Sequence, residues 1–313
     1  MTPAAVCHSG DVVVTGLGTV NPLGGDVDST WSALHEGTCA IRPLEHGWVE
    51  DYELPVRIGA PLAINPADLL PLRQIRRLDR ASQCALLAAR QAWEQAGSPQ
   101  IGSQRLAVSV SPGMGPVLSV MEAWDTLRGK GPRRVLPTAV PALMPNAPAA
   151  TVGIELGAHG GIHAPVSACA SGAEAIAYGA DLISLGRADV VVAGGTDAAL
   201  HPMTVAAFGA MRALSTRNAD PQTASRPFAP DRDGFVLGEG AGLLVLERAA
   251  HAKARGARIL AVLAGSGVTA DAYDVARPEP SGAQQERALR LALERAGLAP
   301  GAVGHINAHA TST

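Results

Sequence analysis

The chain has 313 residues, 47% hydrophobic, 17% charged and only 3% aromatic, with a formal net charge of −3. That length can bury a large core, as one big domain or two closely packed halves, and the near-neutral charge gives no reason to expect nucleic-acid binding. Cys7, Cys39, Cys84 and Cys169 show no CxxC spacing, so neither a zinc site nor a disulfide framework is indicated. No basic stretch leads into an apolar one at the N-terminus, and the longest apolar runs are broken by Gly, Pro or charge. The expectation is a cytoplasmic protein with no signal peptide and no membrane span.

In chain order, Val12 to Val14 reads as a short buried strand closed by the turn signals Gly16, Gly18, Asn21, Pro22 and Gly24. Ser29 to Glu36 follows as a helix stopped by Gly37. Residues 42–78 are Pro-rich and irregular and carry Arg73, Arg76 and Arg77. Asp79 to Ala96 has the apolar spacing of an amphipathic helix, with Gly97 as its C-terminal stop. Leu106 to Val110 is a strand, Met144 to Leu156 a helix, and Asp189 to Ala193 a buried strand ending in Gly194-Gly195. Gly242 to Leu246 and Ile259 to Gly265 read as strands separated by the basic helix Ala249 to Arg255. Gln284 to Ala296 is a helix with Gly297 behind it, and His305 to His309 a strand. Strands and helices alternate throughout, which predicts an α/β class with a parallel or mixed sheet.

Cys169 lies where a short apolar run meets the strongly helical segment from Gly172 to Arg187, with Glu174 in its first turn. A thiol at a helix N-terminus faces unpaired N–H groups and the positive end of the dipole, both of which favour a thiolate. Ala168, Ala170, Ser171 and Gly172 are small enough to let a thioester approach. A buried structural cysteine is the commoner fate of such a residue; position and neighbours favour a nucleophile.

The chain also echoes itself. Ala92-Trp93-Glu94-Gln95-Ala96-Gly97 returns as Ala292-Leu293-Glu294-Arg295-Ala296-Gly297, and Val12 to Gly18 resembles Ala261 to Gly267. Two matches in the same order predict a duplicated α/β unit. The first copy runs well over a hundred residues past its strand, whereas the second stops almost at once at Thr313, so the chain is expected to be cut short.

Five motifs then occur in order: Val166 to Gly172 around Cys169, Phe208 to Asn218, Ser225-Arg226-Pro227-Phe228, Arg232 to Gly240, and Asn307-Ala308-His309-Ala310-Thr311-Ser312-Thr313. Together they resemble the β-ketoacyl-acyl-carrier-protein synthases of the elongating I/II class, from about residue 11 to the last. The tract Arg133 to Pro137 and Met144-Pro145-Asn146 looks most similar to the mycolate-elongating type. The resemblance implies a thiolase-like fold of two similar α/β halves in five layers, the second half incomplete here. The halves would divide as residues 1–250, carrying the nucleophile, and 251–313. It implies decarboxylative condensation of an acyl-enzyme thioester with malonyl-carrier protein, in fatty-acid or mycolate elongation, by a homodimer. The chemistry calls for no metal or other cofactor.

Carried over residue by residue, the resemblance makes Cys169 the acyl-accepting nucleophile and His309 the first of two histidines that promote decarboxylation. Thr311 and Thr313 would bond the phosphopantetheine arm, and Phe208 would line the acyl pocket. Arg73, Arg76, Arg77, Arg133, Arg134 and Arg212 would face the acidic carrier protein, although the 73–77 cluster read alone is equally well a solvated helix face. Acyl transfer to a thiolate splits a difficult carbon–carbon bond formation into two steps. Decarboxylation puts negative charge on a thioester oxygen, where hydrogen-bond donors must wait. A neutral imidazole N–H is such a donor, and the Cys169 N–H would form half of an oxyanion hole.

The family's second histidine and its closing Gly-rich loop are absent, so the chain as it stands is expected to be an inactive fragment in condensation. The Ser111-Pro112-Gly113-Met114-Gly115 loop also departs from a pattern richer in Gly and Thr. Two other readings compete: a non-catalytic, polyketide-type partner subunit, which would lack the nucleophilic cysteine, and a thiolase acting on coenzyme A thioesters, which would use a different histidine motif. Pairs such as His159 and His163 are not set for a metal, because Gly160-Gly161 interrupts them.

Overall fold

The computed structural model describes residue 8 and residues 10–313. Cys7 and the first residues of the expected N-terminal half lie outside the described residues. The strands are β1 (Val12–Val20), β2 (Arg42–Pro43), β3 (Ile58–Gly59), β4 (Leu106–Ser111), β5 (Ile162–His163), β6 (Val190–Ala198), β7 (Glu239–Arg248) and β8 (Ala261–Val262). The helices are α1 (Val27–His35), α2 (Trp48–Asp51), α3 (Leu72–Ile75), α4 (Arg80–Gln95), α5 (Val117–Lys130), α6 (Ala139–Leu143), α7 (Ala147–Leu156), α8 (Ser171–Ser184), α9 (Pro202–Ala210), α10 (Ala249–Ala254) and α11 (Ala283–Ala296). None of these helices is long and apolar enough to cross a membrane.

Six strands form one mixed sheet in the order β5-β4-β6-β7-β1-β8. β5, β4 and β6 run parallel, whereas β7 is antiparallel to both β6 and β1. Both faces are covered, so β4 and the first half of β6 are buried at every position instead of alternating. Val190 and Val192 turn toward α4 and α7, whose Ala88, Ala92 and Val152 complete that core; Val191 and Ala193 turn the other way, onto Leu182 and Ile183 of α8. A separate cluster under residues 41–58 and 200–237 packs Ile58, Leu200, Val205 and Leu237.

The alanine-rich face of α4 lets that helix lie unusually close to the sheet. A Cβ at Gly16 would fall on the Ala92 carbonyl oxygen, and one at Gly18 on the Ala88 carbonyl oxygen. The strand expected to end at Val14 therefore runs on to Val20, because its glycines make room for a helix and do not turn the chain. β6 behaves alike and continues through Gly194-Gly195 to Ala198. Along β1, the Leu17 and Thr19 N–H groups donate to Gln95 Oε1 at 2.7 Å and Gln91 Oε1 at 3.0 Å, so α4 satisfies backbone that no strand pairs.

The internal echo has a physical counterpart. A Cβ at Gly265 would fall on the Ala292 carbonyl oxygen, and one at Gly267 on that of Ala288. The second unit repeats, on α11, the glycine-to-helix contact that the first makes on α4.

Other expectations are corrected. Residues 305–309 form no strand, and 259–265 keep only Ala261–Val262 as a ladder on β1, flanked by the Leu260 and Leu263 N–H groups, which donate to the Val14 and Val12 carbonyls at 2.8 and 2.9 Å. The helix expected over 144–156 begins only at Ala147, as α7; Met144-Pro145-Asn146 separates it from the preceding α6, since proline disfavours helix in the residue before it. α5 and α9 have no counterpart in the sequence reading.

Candidate active site

Parallel strands β4 and β6 end side by side, and α8 begins beside those ends. Cys169 sits in a 3-10 turn, Ala168–Ala170, immediately before α8. Ala168 holds a left-handed φ of 52°, uncommon for a residue with a Cβ. The turn is held by Ser171, whose Oγ accepts the Ser167 N–H at 2.9 Å and donates to the Ala168 carbonyl at 2.7 Å. Cys169 itself is exposed and unbridged. No side chain caps the 14-residue helix behind it; the Ser171 N–H bonds the Ala168 carbonyl, and the positive end of the helix dipole faces this turn.

Two glycines fix the depth of the nucleophile turn. A Cβ on Gly195 of β6 would stand 2.9 Å from the Gly172 Cα, so the first turn of α8 rests directly on the strand. Two residues on, Asp197 Oδ2 accepts the Gly113 N–H at 2.8 Å and the Met114 N–H at 3.0 Å. Burial pushes the Asp197 carboxyl above its ordinary value, and the nearby Asp79 adds to this, against the pull of the two N–H donors. Cys169, Ser111, Gly113, Gly195, Asp197 and Asn21 line one open cleft of about 420 Å³.

Of the catalytic, substrate-binding and docking residues expected from the sequence, Cys169 alone lines this cleft, together with its small neighbours Ala168, Ser171 and Gly172. His309 is exposed on the irregular C-terminal segment. The Thr311 and Thr313 hydroxyls lie 2.6 Å apart. Between them the buried Ser312 ties the segment down: its Oγ accepts the Arg226 N–H at 3.1 Å and its carbonyl the Gly234 N–H at 2.9 Å. Phe208, half-buried on α9, meets Phe235 edge-on at 5.1 Å between ring centroids. Arg73, Arg76, Arg77, Arg133, Arg134 and Arg212 are all exposed. None of the six has an acidic partner among the described residues. Arg76 and Arg77 also line a groove of about 140 Å³ against α5 and α6.

The sequence reading missed Asp197. Its signal was an acid two residues after a buried apolar run and two glycines, but its partners, Gly113 and Met114, lie more than eighty residues earlier.

Residues 9–252 match the family model described as "Beta-ketoacyl synthase, N-terminal domain", and residues 260–313 match "Beta-ketoacyl synthase, C-terminal domain". The chain belongs to the β-ketoacyl synthase family. Among curated members, the 3-oxoacyl-[acyl-carrier-protein] synthase 2 of Mycobacterium tuberculosis is 43% identical over 303 residues, spanning 96% of this chain and 73% of that protein. The synthase 2 of Staphylococcus aureus is 41% identical over the same shares of each. A β-ketoacyl synthase structure from Burkholderia phymatum superposes with a TM-score of 0.87 at 36% identity, covering 97% of this chain and 74% of that one. A ketosynthase bound to the hexaketide, in complex with its type II polyketide acyl-carrier protein, gives 0.84 at 32% identity over the same shares. This β-ketoacyl synthase chain therefore has the thiolase-like α/β fold of acyl-transferring condensing enzymes and spans about three quarters of their length.

Proposed function

We propose that this chain carries out the acyl-accepting half of a decarboxylative condensation in fatty-acid elongation, with acyl and malonyl groups delivered on the phosphopantetheine arm of an acyl carrier protein. The observation that carries the reading is Cys169: an exposed thiol in a 3-10 turn, directly after the left-handed Ala168, at the start of α8 and opening on a cleft. In the first step the Cys169 thiolate attacks the acyl thioester carbonyl, the oxyanion takes a hydrogen bond from backbone N–H, and the carrier thiolate leaves. In the second, malonyl-carrier protein loses CO2 and its enolate carbon attacks the Cys169 thioester. The new carbon–carbon bond forms as the carbon–sulfur bond breaks, freeing the thiolate.

In this reading His309 donates to the enolate oxygen, Thr311 and Thr313 hold the phosphopantetheine arm, and Phe208 borders the acyl chain. The anchoring of Ser312 by Arg226 and Gly234 supports a fixed course for that segment. Arg73, Arg76, Arg77, Arg133, Arg134 and Arg212 form the carrier-docking face; their exposure and lack of acidic partners suit an acidic partner that approaches from solution. The halves divide at residues 1–250 and 251–313. The chain works in the cytoplasm as a homodimer, for which the open outer edge of β5 offers a pairing surface. The mycolate branch is the finer assignment of the same chemistry.

The test is covalent. Wild-type chain incubated with acyl-carrier protein should gain one acyl mass on Cys169, and Cys169→Ala should gain none. An adduct that persists in Cys169→Ala would remove the nucleophile assignment.

A further inference from the structure

Among the described residues the Asp197 carboxylate is in no ion pair; its Oδ2 accepts the Gly113 and Met114 N–H groups at 2.8 and 3.0 Å, and the Ala198 N–H also pulls on the carboxyl. Its other oxygen, Oδ1, is buried with no hydrogen-bond partner, and so is the Ser111 Oγ on the same cleft wall. A buried, half-satisfied carboxylate costs stability. An apolar side chain on β6 would avoid that cost, so the fold gains nothing from the acid by itself.

What the acid holds is more telling. A Cβ on Gly113 would stand 2.8 Å from Asp197 Oδ2 and 3.2 Å from the Ala168 carbonyl oxygen. The 113–114 backbone is thus wedged between Asp197 and the left-handed residue that precedes Cys169. The Ala168 carbonyl is fixed on its other side by the Ser171 hydroxyl at 2.7 Å.

We propose that Asp197 is a positioning residue for the acylation step, clamping the Gly113–Met114 backbone against Ala168 so that the turn presenting Cys169 keeps its geometry. This rests on the reading of Cys169 as the nucleophile. The elevated carboxyl of Asp197 is in keeping with a clamp that needs an acceptor oxygen and not a charge. An amide can therefore replace it, with its oxygen on the two N–H groups.

Three variants of the full chain test the clamp, each mixed with dodecanoyl-carrier protein and read by the rate at which the acyl mass appears. Asp197→Ala removes the acceptor, and Gly113→Ala displaces the loop from the opposite side with Asp197 intact. Both should slow acylation about 10- to 100-fold, the scale expected when a reacting group is misplaced by about an ångström. Asp197→Asn should restore a rate within about threefold of wild type, since a hydrogen-bonding acceptor remains. A merely structural acid would lower the melting temperature of Asp197→Ala yet leave acylation unchanged well below it; that result overturns the proposal. Wild-type rates in Gly113→Ala overturn it too, even if Asp197→Ala does not fold, as does an Asn variant as slow as the alanine one. Peptide mapping of the adduct tests the nucleophile separately. An adduct away from Cys169 sinks that reading and the clamp with it, whereas unchanged rates with the adduct on Cys169 sink only the clamp.

Discussion

Cys84 and Cys169 show how one residue type is put to different uses by its surroundings. Cys84 is fully buried on the sheet-facing side of α4, and burial pushes its thiol up to about 12, outweighing the pull of the neighbouring Arg80. It behaves as a small apolar side chain. Cys169 and Cys39 are exposed. Iodoacetamide at neutral pH should therefore modify Cys169 and Cys39 in the native protein and leave Cys84 untouched until denaturant is added. Peptide mapping before and after unfolding reads this directly, and rapid native modification of Cys84 would contradict the packing of α4. The sequence identified Cys169 because a helix start next to small residues is a local pattern. It could not identify Asp197, whose partners Gly113 and Met114 are set by the pairing of β4 with β6, nor show that the irregular C-terminal segment is tied to the 226–234 loop through Ser312.

At the scale of elements, the decisive contact is between helix backbone and strand glycine. Gly18→Ala would place a methyl group on the Ala88 carbonyl, where real side chains do not go, so α4 must move off the sheet. Overpacking of this kind costs about 1–3 kcal/mol, and somewhat more where the neighbour is rigid backbone. Gly102→Ala is the control: nothing lies within 4 Å of its Cβ. Its φ of −60° suits alanine, so it should leave stability unchanged or raise it slightly. Urea midpoints would compare the pair, and equal midpoints would refute the close approach of α4. Much of the fold was legible at this scale. Gly97 and Gly297, with positive φ of 76° and 65°, end α4 and α11 as expected. Strand lengths were not legible, because Gly16, Gly18, Gly194 and Gly195 look like turn residues until the helix that touches them is known. α5 and α9 escaped notice because their apolar residues do not gather on one face, unlike those of α4 and α11.

Across the whole molecule, the end of the sheet away from Cys169 is closed by charge. Arg105 precedes β4, Asp189 precedes β6 and Arg248 ends β7, and one carboxylate joins all three strands. Arg105 donates to it at 2.8 and 2.9 Å, and Arg248 at 3.0 Å. Backbone bonds of 2.9 Å from Asp189 to the Arg105 carbonyl and from Arg248 to the Asp189 carbonyl complete the knot. The Arg105 hydrogen bonds chiefly, with those of Arg248, hold the Asp189 carboxyl down at about 2, against a partial burial that opposes them. A carboxyl lowered on folding stabilises the native state above its unfolded value, near 3.9, and loses that contribution as pH falls through its folded value. The side chain keeps some solvent, so screening limits the effect to about 1–2 kcal/mol at neutral pH. Asp189→Asn should then be less stable than wild type by that amount in urea at pH 7. The gap should narrow below pH 4 and close near pH 2, because wild type gives up the charge that the variant never had. A gap that stays constant from pH 7 to pH 2.5 would mean that the knot works through shape and neutral hydrogen bonds, and that the sheet is not held together at this end by ionisation.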